Sequence, residues 1–514
     1  MATIKDVERT PSTQRLDPAG RPLSPTPTSD KLDPLNWNTR RKYTCIGIVI
    51  YSYFLLTYFT TSTIPSFAFL MVQLDVDYNH VNWTFALPCF GLAVGPLLVG
   101  ALADTYGRRP VLILSTCIAV IASGCTAIEG INFAGYMAAR FFQGLGAGPA
   151  ANVGLCIIND LSWEHERGTR VGLWTIAANC GTIMGGVIGG LLAESGQWVA
   201  YHVTILYAVL LLSQCLLLPE TLYPRAVMVA AEVQHNSLTN LKRTKQLGYF
   251  NLLKVPGVAH PKPWTTITQF IRLFAYPTVV ISVFSYCFLH YWWICGITTI
   301  VPAAYEQDTP RVQGALLIGL LVGLLAAELF CSGHLSDKIM VWMTRKSGGE
   351  RLPENRLWLG MPAAVVSSVG LLVWGFSIDK HWHWMTGQVA FFLYSLGLQM
   401  GNTTLSAYIV DNYPSHANEV ITFYTVWINM SAFIIPWFIF PWVEDSGYTL
   451  SFAAQAIICT FGLIPAYLLL LKYGPRMRAK RPMYMKRVDG VEDLGVGVVR
   501  EEDVTREAVT GMAK

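Results

Sequence analysis

Read for apolar and polar positions, the chain divides into twelve mostly apolar runs, each about 20 residues long and bounded by polar or turn residues. They cover 43–67, 83–103, 111–128, 133–158, 171–193 and 201–218, then 278–303, 312–331, 357–376, 385–409, 420–443 and 450–471. A run of that length predicts a membrane-spanning helix, because only internal hydrogen bonds can satisfy a backbone placed in hydrocarbon. The long interval after the sixth run separates two sets of six. The expected fold is an all-α integral membrane protein with twelve transmembrane helices in two six-helix bundles. Its expected divisions are a disordered tail at 1–42, a first bundle at 43–218, a linker at 219–277, a second bundle at 278–471 and a tail at 472–514.

Composition and charge add an orientation. Of 514 residues 53% are hydrophobic and 14% charged, and 34 of the 37 Lys and Arg lie before the first span or after even-numbered spans. Arg311 and Lys380 lie after odd-numbered spans, and Arg140 lies inside the fourth. Basic loops are retained on the cytoplasmic side, so both termini are expected there. The net charge of +4 then reports topology and implies no nucleic-acid partner. No apolar run stands near the N-terminus, so the first span is expected to act as the insertion signal. All eleven cysteines fall inside the spans, where they read as packing residues, with no disulfide, metal or cofactor expected. The start, with "RPLSPTPTSDKLDP", is rich in Pro, Ser and Thr and suits phosphorylation. The basic "KYGPRMRAKRPMYMKR" after the last span can hold anionic lipid headgroups, although topology control explains it as well.

The two halves also repeat. "GALAD" ends the second span and "GHLSD" the eighth; "INDLSWEHERGTRVG" follows the fourth and "IVDNYPSHANEVITF" the tenth. Asp104 thereby matches Asp337, and Asp160 matches Asp411. Two copies in one orientation must face each other about an axis along the membrane normal.

"GALADTYGRRP" resembles the signature G-x-x-x-D-x-x-G-R-[RK] of the major facilitator superfamily. "ARFFQGLGAG" resembles its fourth-helix motif R-x-x-Q-G, and "GTIMGGVIGG" the fifth-helix motif G-x-x-x-G-P-x-x-G-G of its antiporters, with Gly186 where that motif has Pro. "DPLNW", "LPETLYP" and "YIVDNYP" are similar to fungal twelve-helix members grouped with drug:proton antiporters, polyamine and organic-cation carriers among them. The resemblance covers roughly residues 33–472 and implies a conformational latch. Gly100 permits close helix approach, Asp104 caps its helix and pairs with Arg108 or Arg167, Gly107 makes the reversal, and Arg109 adds a second cation. Asp160, Asp337, Asp411 and Glu419 complete a charge ring at the same depth.

Charged and polar residues inside the spans are the cavity candidates. An Arg two turns into a span costs several kcal/mol, on the order of 3, unless it meets water or a partner. Arg140, with Gln143 on the same face, therefore reads as a proton- or substrate-handling group, as the family implies, or as a structural Arg held by backbone carbonyls. His290 is a candidate proton carrier or a hydrogen-bonded packing residue. Tyr286, Tyr291 and Trp292 offer aromatic faces to an organic cation. Glu328, near the end of its span, raises the same kind of cost argument as Arg140; Asn402 and Asn429 offer uncharged hydrogen bonds. For helix packing, Gly181, Gly185 and Gly189, with Gly186 and Gly190 beside them, make a bare strip. Its expected partner is the eighth span, through Gly319 and Gly323, with Ile183 facing away.

The expected function is secondary active transport of a small organic solute by alternating access, coupled to protons, by a monomer in the plasma membrane or, alternatively, the vacuolar membrane. Export of a drug, toxin or metabolite is favoured; proton-coupled uptake of an organic cation or polyamine is the alternative. From another class, a nutrient sensor on a transporter scaffold moves nothing. No G-x-x-x-x-G-K-[ST] stretch binds nucleotide, and "HWHW" at 381–384 lacks the carboxylate of a catalytic cluster, so no enzyme is expected.

Overall fold

Every apolar run folds as a helix. The computed structural model describes residues 30–225, 260–332, 352–413 and 416–481, together with residues 25, 28, 228, 335, 338, 339, 342 and 343. In the first bundle α1 is Thr39–Leu74, α2 Tyr78–Tyr106, α3 Arg108–Thr126, α4 Phe133–Leu161, α5 Glu164–Leu192 and α6 Trp198–Leu217. In the second, α7 is Pro277–Ala304, α8 Pro310–Cys331, α9 Pro353–Asp379, α10 Trp384–Asn412 and α11 Ala417–Trp437. The following helical run, Ile439–Lys480, contains the non-helical Gly447, at φ 76°. Residues 439–446 extend α11 beyond a break at Pro436, and residues 448–480 form α12.

Eleven of these segments are long and apolar enough to cross a membrane by length and composition. The remaining span, α10, is 29 residues long but interrupts its apolar surface with Gln399, Asn402 and Thr404. All three are buried, so the polarity that dilutes its apolar character is spent inside the protein rather than against lipid.

Prolines at first-turn positions start α7, α8 and α9, where the missing N–H has no intrahelical acceptor to lose. Gly148 and Pro149 break α4. Two helices widen locally into π turns, α7 at Cys287–Tyr291 and α8 at Ala327–Ser332. A π turn leaves a carbonyl without its usual partner. In α7 the Tyr394 hydroxyl takes that place, donating to the His290 carbonyl at 2.8 Å.

Both termini of the helical body lie at one end, called here the terminal face. The N-terminal tail departs from the expected disorder over its last part. Asp33 is fully buried and accepts from the Thr28 N–H at 3.3 Å and hydroxyl at 3.0 Å, the Leu35 N–H at 3.0 Å and the Arg225 guanidinium at 3.0 Å. A carboxylate with four donors is why "DPLNW" is folded, tied to Arg225 beyond α6 and set beside the end of α4. Tyr223 closes the same knot by donating to Asp30 at 3.1 Å; burial pushes its phenol up to about 12, so it stays protonated. The last part of the linker also folds, as an amphipathic helix, Thr265–Leu273. Its Phe270 packs on Phe423 of α11, and its Thr266 lies against Gly100 of α2, so it bridges the two bundles at the terminal face.

Candidate functional site

The polar knot at the end of α2 is built around a tight reversal. Gly107 has φ 107°, a region that side chains rarely adopt, and a Cβ there would strike the Glu220 carboxylate. Glu220 accepts the N–H groups of Arg108 and Arg109 at 3.0 and 3.1 Å, so a carboxylate caps the positive end of α3. Arg109 donates to the Cys215 carbonyl at 2.7 Å, tying α3 to α6.

The charge pairing differs from the expected one. The Arg108 guanidinium pairs with Asp160 at the end of α4, not with Asp104, and donates to the Cys156 carbonyl at 3.2 Å. In the second half Arg356 pairs with Asp411 at 2.8 Å, repeating the arrangement at the start of α9 and the end of α10. Each pair lies within one bundle, so the acids do not form a single ring. The geometric reason is that α3 starts, and α4 ends, beside one another, which puts Arg108 nearer to Asp160 than to the neighbouring bundle. Among the described residues Asp104 and Arg167 make no ion pair; Asp337 lies outside the described residues. Glu419 stands 3.7 Å from His416.

Asp104 and Glu419 instead face a small open cleft between the bundles, lined also by Arg108, Asn152, Gln269 and Asn418. Its rim is bridged by Asn159 of α4, donating to Asn418 of α11 at 3.1 Å. The opposite face is sealed. Trp83 stacks on Trp437 at 4.5 Å, Tyr78 meets Phe440 at 4.4 Å, and Arg311 pairs with Glu194 at 2.9 Å. The apolar core follows the same pattern, since one cluster joins Ile64, Phe67 and Phe85 of the first bundle to α7 and α11 of the second.

Asp160→Ala is expected to remove about 3 kcal/mol of stability, because it strands the mostly buried Arg108, whereas Asp104→Asn breaks no bond and leaves the unfolding midpoint in place. Thermal unfolding of the two purified variants checks this.

Within the spans, Arg140 is 2% exposed and has no carboxylate partner among the described residues. It donates to the carbonyls of Phe59, Thr60 and Thr84 at 3.2, 3.3 and 3.0 Å, to Gln143 Oε1 at 2.9 Å and to the Thr63 hydroxyl at 3.2 Å. The regular part of α1 ends at Thr61, so Arg140 places a cation on carbonyls that have lost their helical partners. Gln143 passes the network to Ser123 at 2.7 Å. Of the two expected readings, this geometry is that of an Arg held by carbonyls.

His290 is fully buried, with Nε2 at 2.7 Å from the Ser367 hydroxyl and its ring against Gly401. Tyr286 is packed edge-on to it and is 1% exposed, so its face is covered. Tyr291 adjoins Tyr286, and Trp292 packs on Phe288 and Phe438. Asn402 accepts from the Tyr424 hydroxyl at 2.7 Å, while Asn429 turns back onto the Thr425 carbonyl of its own helix at 2.8 Å. Glu328, half-buried in the π turn of α8, accepts from Gln399 at 2.8 Å. The sequence reading passed over Gln399, Asn179, Glu220, Arg225 and Asp33. Gln399 had a usable signal, a lone amide in an apolar span; Glu220 was visible only as part of "LPETLYP".

The glycine strip packs on a different helix from the one expected. Cβ atoms on Gly181, Gly185 and Gly189 would strike the carbonyl oxygens of Phe54, Tyr58 and Ser62, so this strip lies along α1. The two helices run the same way, and a four-residue period on each keeps them in register. Gly186 and Gly190 form a second bare face toward α8, where Gly190 would meet Gly314 Cα at 2.7 Å. Gly319 and Gly323 face α10, at Gln388 and Phe392. Ile183 is 4% exposed and packed in the core.

The sequence profile described as Major Facilitator Superfamily matches residues 49–436, most of the chain. The chain belongs to the Major Facilitator Superfamily. Among similar members is "Probable efflux pump mfs2" of Aspergillus flavus, 23% identical over 428 residues that cover 81% of this chain and 98% of that protein. Another is "Probable drug/proton antiporter YHK8" of Saccharomyces cerevisiae, 24% identical over 455 residues, covering 87% and 86%. In fold the chain is similar to a crystal structure of a D-xylose-proton symporter, with TM-score 0.61 and 14% identity over 82% of this chain and 97% of that one. As a facilitator-superfamily member the protein is a multi-pass secondary transporter of small solutes and not an enzyme.

Proposed function

We propose that this transporter exports a small organic solute from the cytoplasm in exchange for protons. The basic loops support a cytoplasmic terminal face, and on that reading the cleft beside Asp104 and Glu419 opens to the compartment from which solute is loaded. The aromatic contacts at the opposite face support reading this as the inward-directed state. The bundles then rock about the glycine contacts of α5 with α8. Arg108 with Asp160, and Arg356 with Asp411, hold each bundle's own helix ends together while the bundles separate and rejoin.

The observation that carries proton coupling is Glu328, an ionisable carboxylate in the spanning part of α8, hydrogen-bonded only to an amide among the described residues. Export is supported by relatives whose names describe an efflux pump and a drug/proton antiporter.

The test is accumulation of a radiolabelled quaternary ammonium in voltage-clamped proteoliposomes. The compound is the one that wild-type vesicles exchange fastest from a panel of organic cations. Vesicles more acidic inside than outside should accumulate it above empty-liposome controls, whichever way the protein is inserted. Proton-coupled uptake, the other reading, would empty them instead, and a sensor would exchange nothing.

A further inference from the structure

We infer that Glu328, Gln399 and Asn179 form a proton-set tie between the bundles, in which Gln399 and Asn179 are positioning residues for the proton carried by Glu328. This rests on the proton-coupled reading above. Gln399 Nε2 donates to Glu328 Oε2 at 2.8 Å, and Gln399 Oε1 accepts from Asn179 Nδ2 at 2.7 Å. Glu328 is on α8 and Gln399 on α10, both in the second bundle; Asn179 is on α5, in the first. Gln399 is 3% exposed, so its amide has no water to fall back on. The other polar side-chain links between the bundles described above, Asn159 to Asn418 and Arg311 to Glu194, lie at the two faces.

The direction of this chain of bonds is forced by charge. An ionised carboxylate only accepts, so Gln399 must turn its NH2 toward Glu328 and leave its carbonyl for α5. Asn179 must then donate. When Glu328 takes one proton, from whichever side is open, its O–H can donate in turn. The amides can then run either way, and the bond loses its charge-assisted strength. Only the new O–H bond forms, and it breaks when the proton leaves to the other side. A tie that is strong when Glu328 is ionised and weak when it is protonated makes bundle movement depend on the proton.

No other charge occurs on the membrane-spanning segments packed around Glu328. No Asp, Glu, Lys or Arg other than Glu328 occurs at 312–331 of α8, 384–410 of α10, 171–193 of α5 or 360–378 of α9. The titratable groups on these segments are Cys331 beside it on α8, Cys180 on α5, and Tyr394 and Tyr408 on α10. Tyr394 is already committed to the His290 carbonyl.

The experiment reverses the chain of bonds. In Asn179→Asp an acceptor is set against the Gln399 carbonyl, and counterflow of the labelled quaternary ammonium should fall about tenfold. In Glu328→Gln alone, proton movement coupled to solute should vanish. In the double variant Glu328→Gln/Asn179→Asp the Gln399 amide can turn round, accept from position 328 and donate to position 179. Counterflow should return to within about threefold of wild type, and coupled proton movement should reappear. A double variant that folds but shows no recovery of either overturns the tie. Wild-type vesicles that move solute without protons would instead defeat the proton-coupled reading, and recovery of counterflow would still report on the tie, because exchange needs no net proton movement. Should Asn179→Asp not fold, Gln399→Leu serves in its place. It is expected to move the pH at which counterflow is half-maximal, and an unmoved midpoint overturns the tie.

Discussion

Gly185→Leu is expected to yield almost no folded transporter. The Cβ alone would lie inside contact distance of the Tyr58 carbonyl oxygen and of the Thr61 hydroxyl, and both belong to α1, which cannot retreat without leaving α5 along its whole length. Neighbouring positions hold the same line, with Gly181 against Phe54 and Gly189 against Ser62, and Thr57 donates across it to the Ala178 carbonyl at 2.5 Å. Overpacking a yielding core costs about 1–3 kcal/mol; here backbone meets backbone, so the cost exceeds ~3 kcal/mol. The contrast is Gly172 on the same helix, where a Cβ meets nothing within 4 Å and Leu should be tolerated at wild-type yield. Size-exclusion profiles of the two variants at equal expression decide between them. A monodisperse Gly185→Leu protein would mean that α1 and α5 are not packed as described.

The second large effect is expected at Arg140. Arg140→Ala strands two carbonyl oxygens, those of Thr60 and Thr84, and the Gln143 amide oxygen, and leaves the Phe59 carbonyl with the Ser62 hydroxyl alone, in a region that is nearly sealed from solvent. Each buried acceptor left without a donor costs about 1–3 kcal/mol, so the variant should lose several kcal/mol of stability together with transport. Counterflow and proton-driven accumulation should fall in parallel, because the end of α1 and its fit to α2 are disturbed rather than a proton path. Arg140→Lys keeps the charge but not the planar fork that reaches α1 and α2 at once, and should recover only part of the loss. Thermal unfolding and both transport modes on one preparation measure this. Intact counterflow with lost accumulation would place Arg140 in the coupling step instead.

What was legible in the sequence follows from which forces leave a one-dimensional trace. Hydrocarbon demands long apolar helices, so the spans were readable, including α10, whose polar residues are hidden within the protein. The repeat was readable because Asp160 and Asp411 each hold an Arg at the same place in their bundles. Partner choice was not. A four-residue glycine period says that a helix has a bare face, but α5 has two such faces, and nothing local says that the 181–185–189 face meets α1 while Gly186 and Gly190 meet α8. Charge pairing failed in the same way, since Asp104 and Asp160 are equally plausible partners for Arg108 until the ends of α3 and α4 are set side by side. Arg140 was flagged as costly, yet three of its partners are main-chain carbonyls, which every residue carries and no residue type announces. The Asp33 knot escaped notice because its surroundings, rich in Pro, Ser and Thr, resemble a solvated tail until the buried carboxylate gathers its donors.

The central claim is that solute leaving the cytoplasm is exchanged for protons. It is tested most directly by the sign of the pH change outside weakly buffered, voltage-clamped proteoliposomes when the quaternary ammonium is added with no gradient imposed. Exchange predicts that solute moving in drives protons out and the medium acidifies, with no change in vesicles carrying Glu328→Gln. A medium that turns alkaline as solute enters would contradict the account and make the protein a proton-coupled importer.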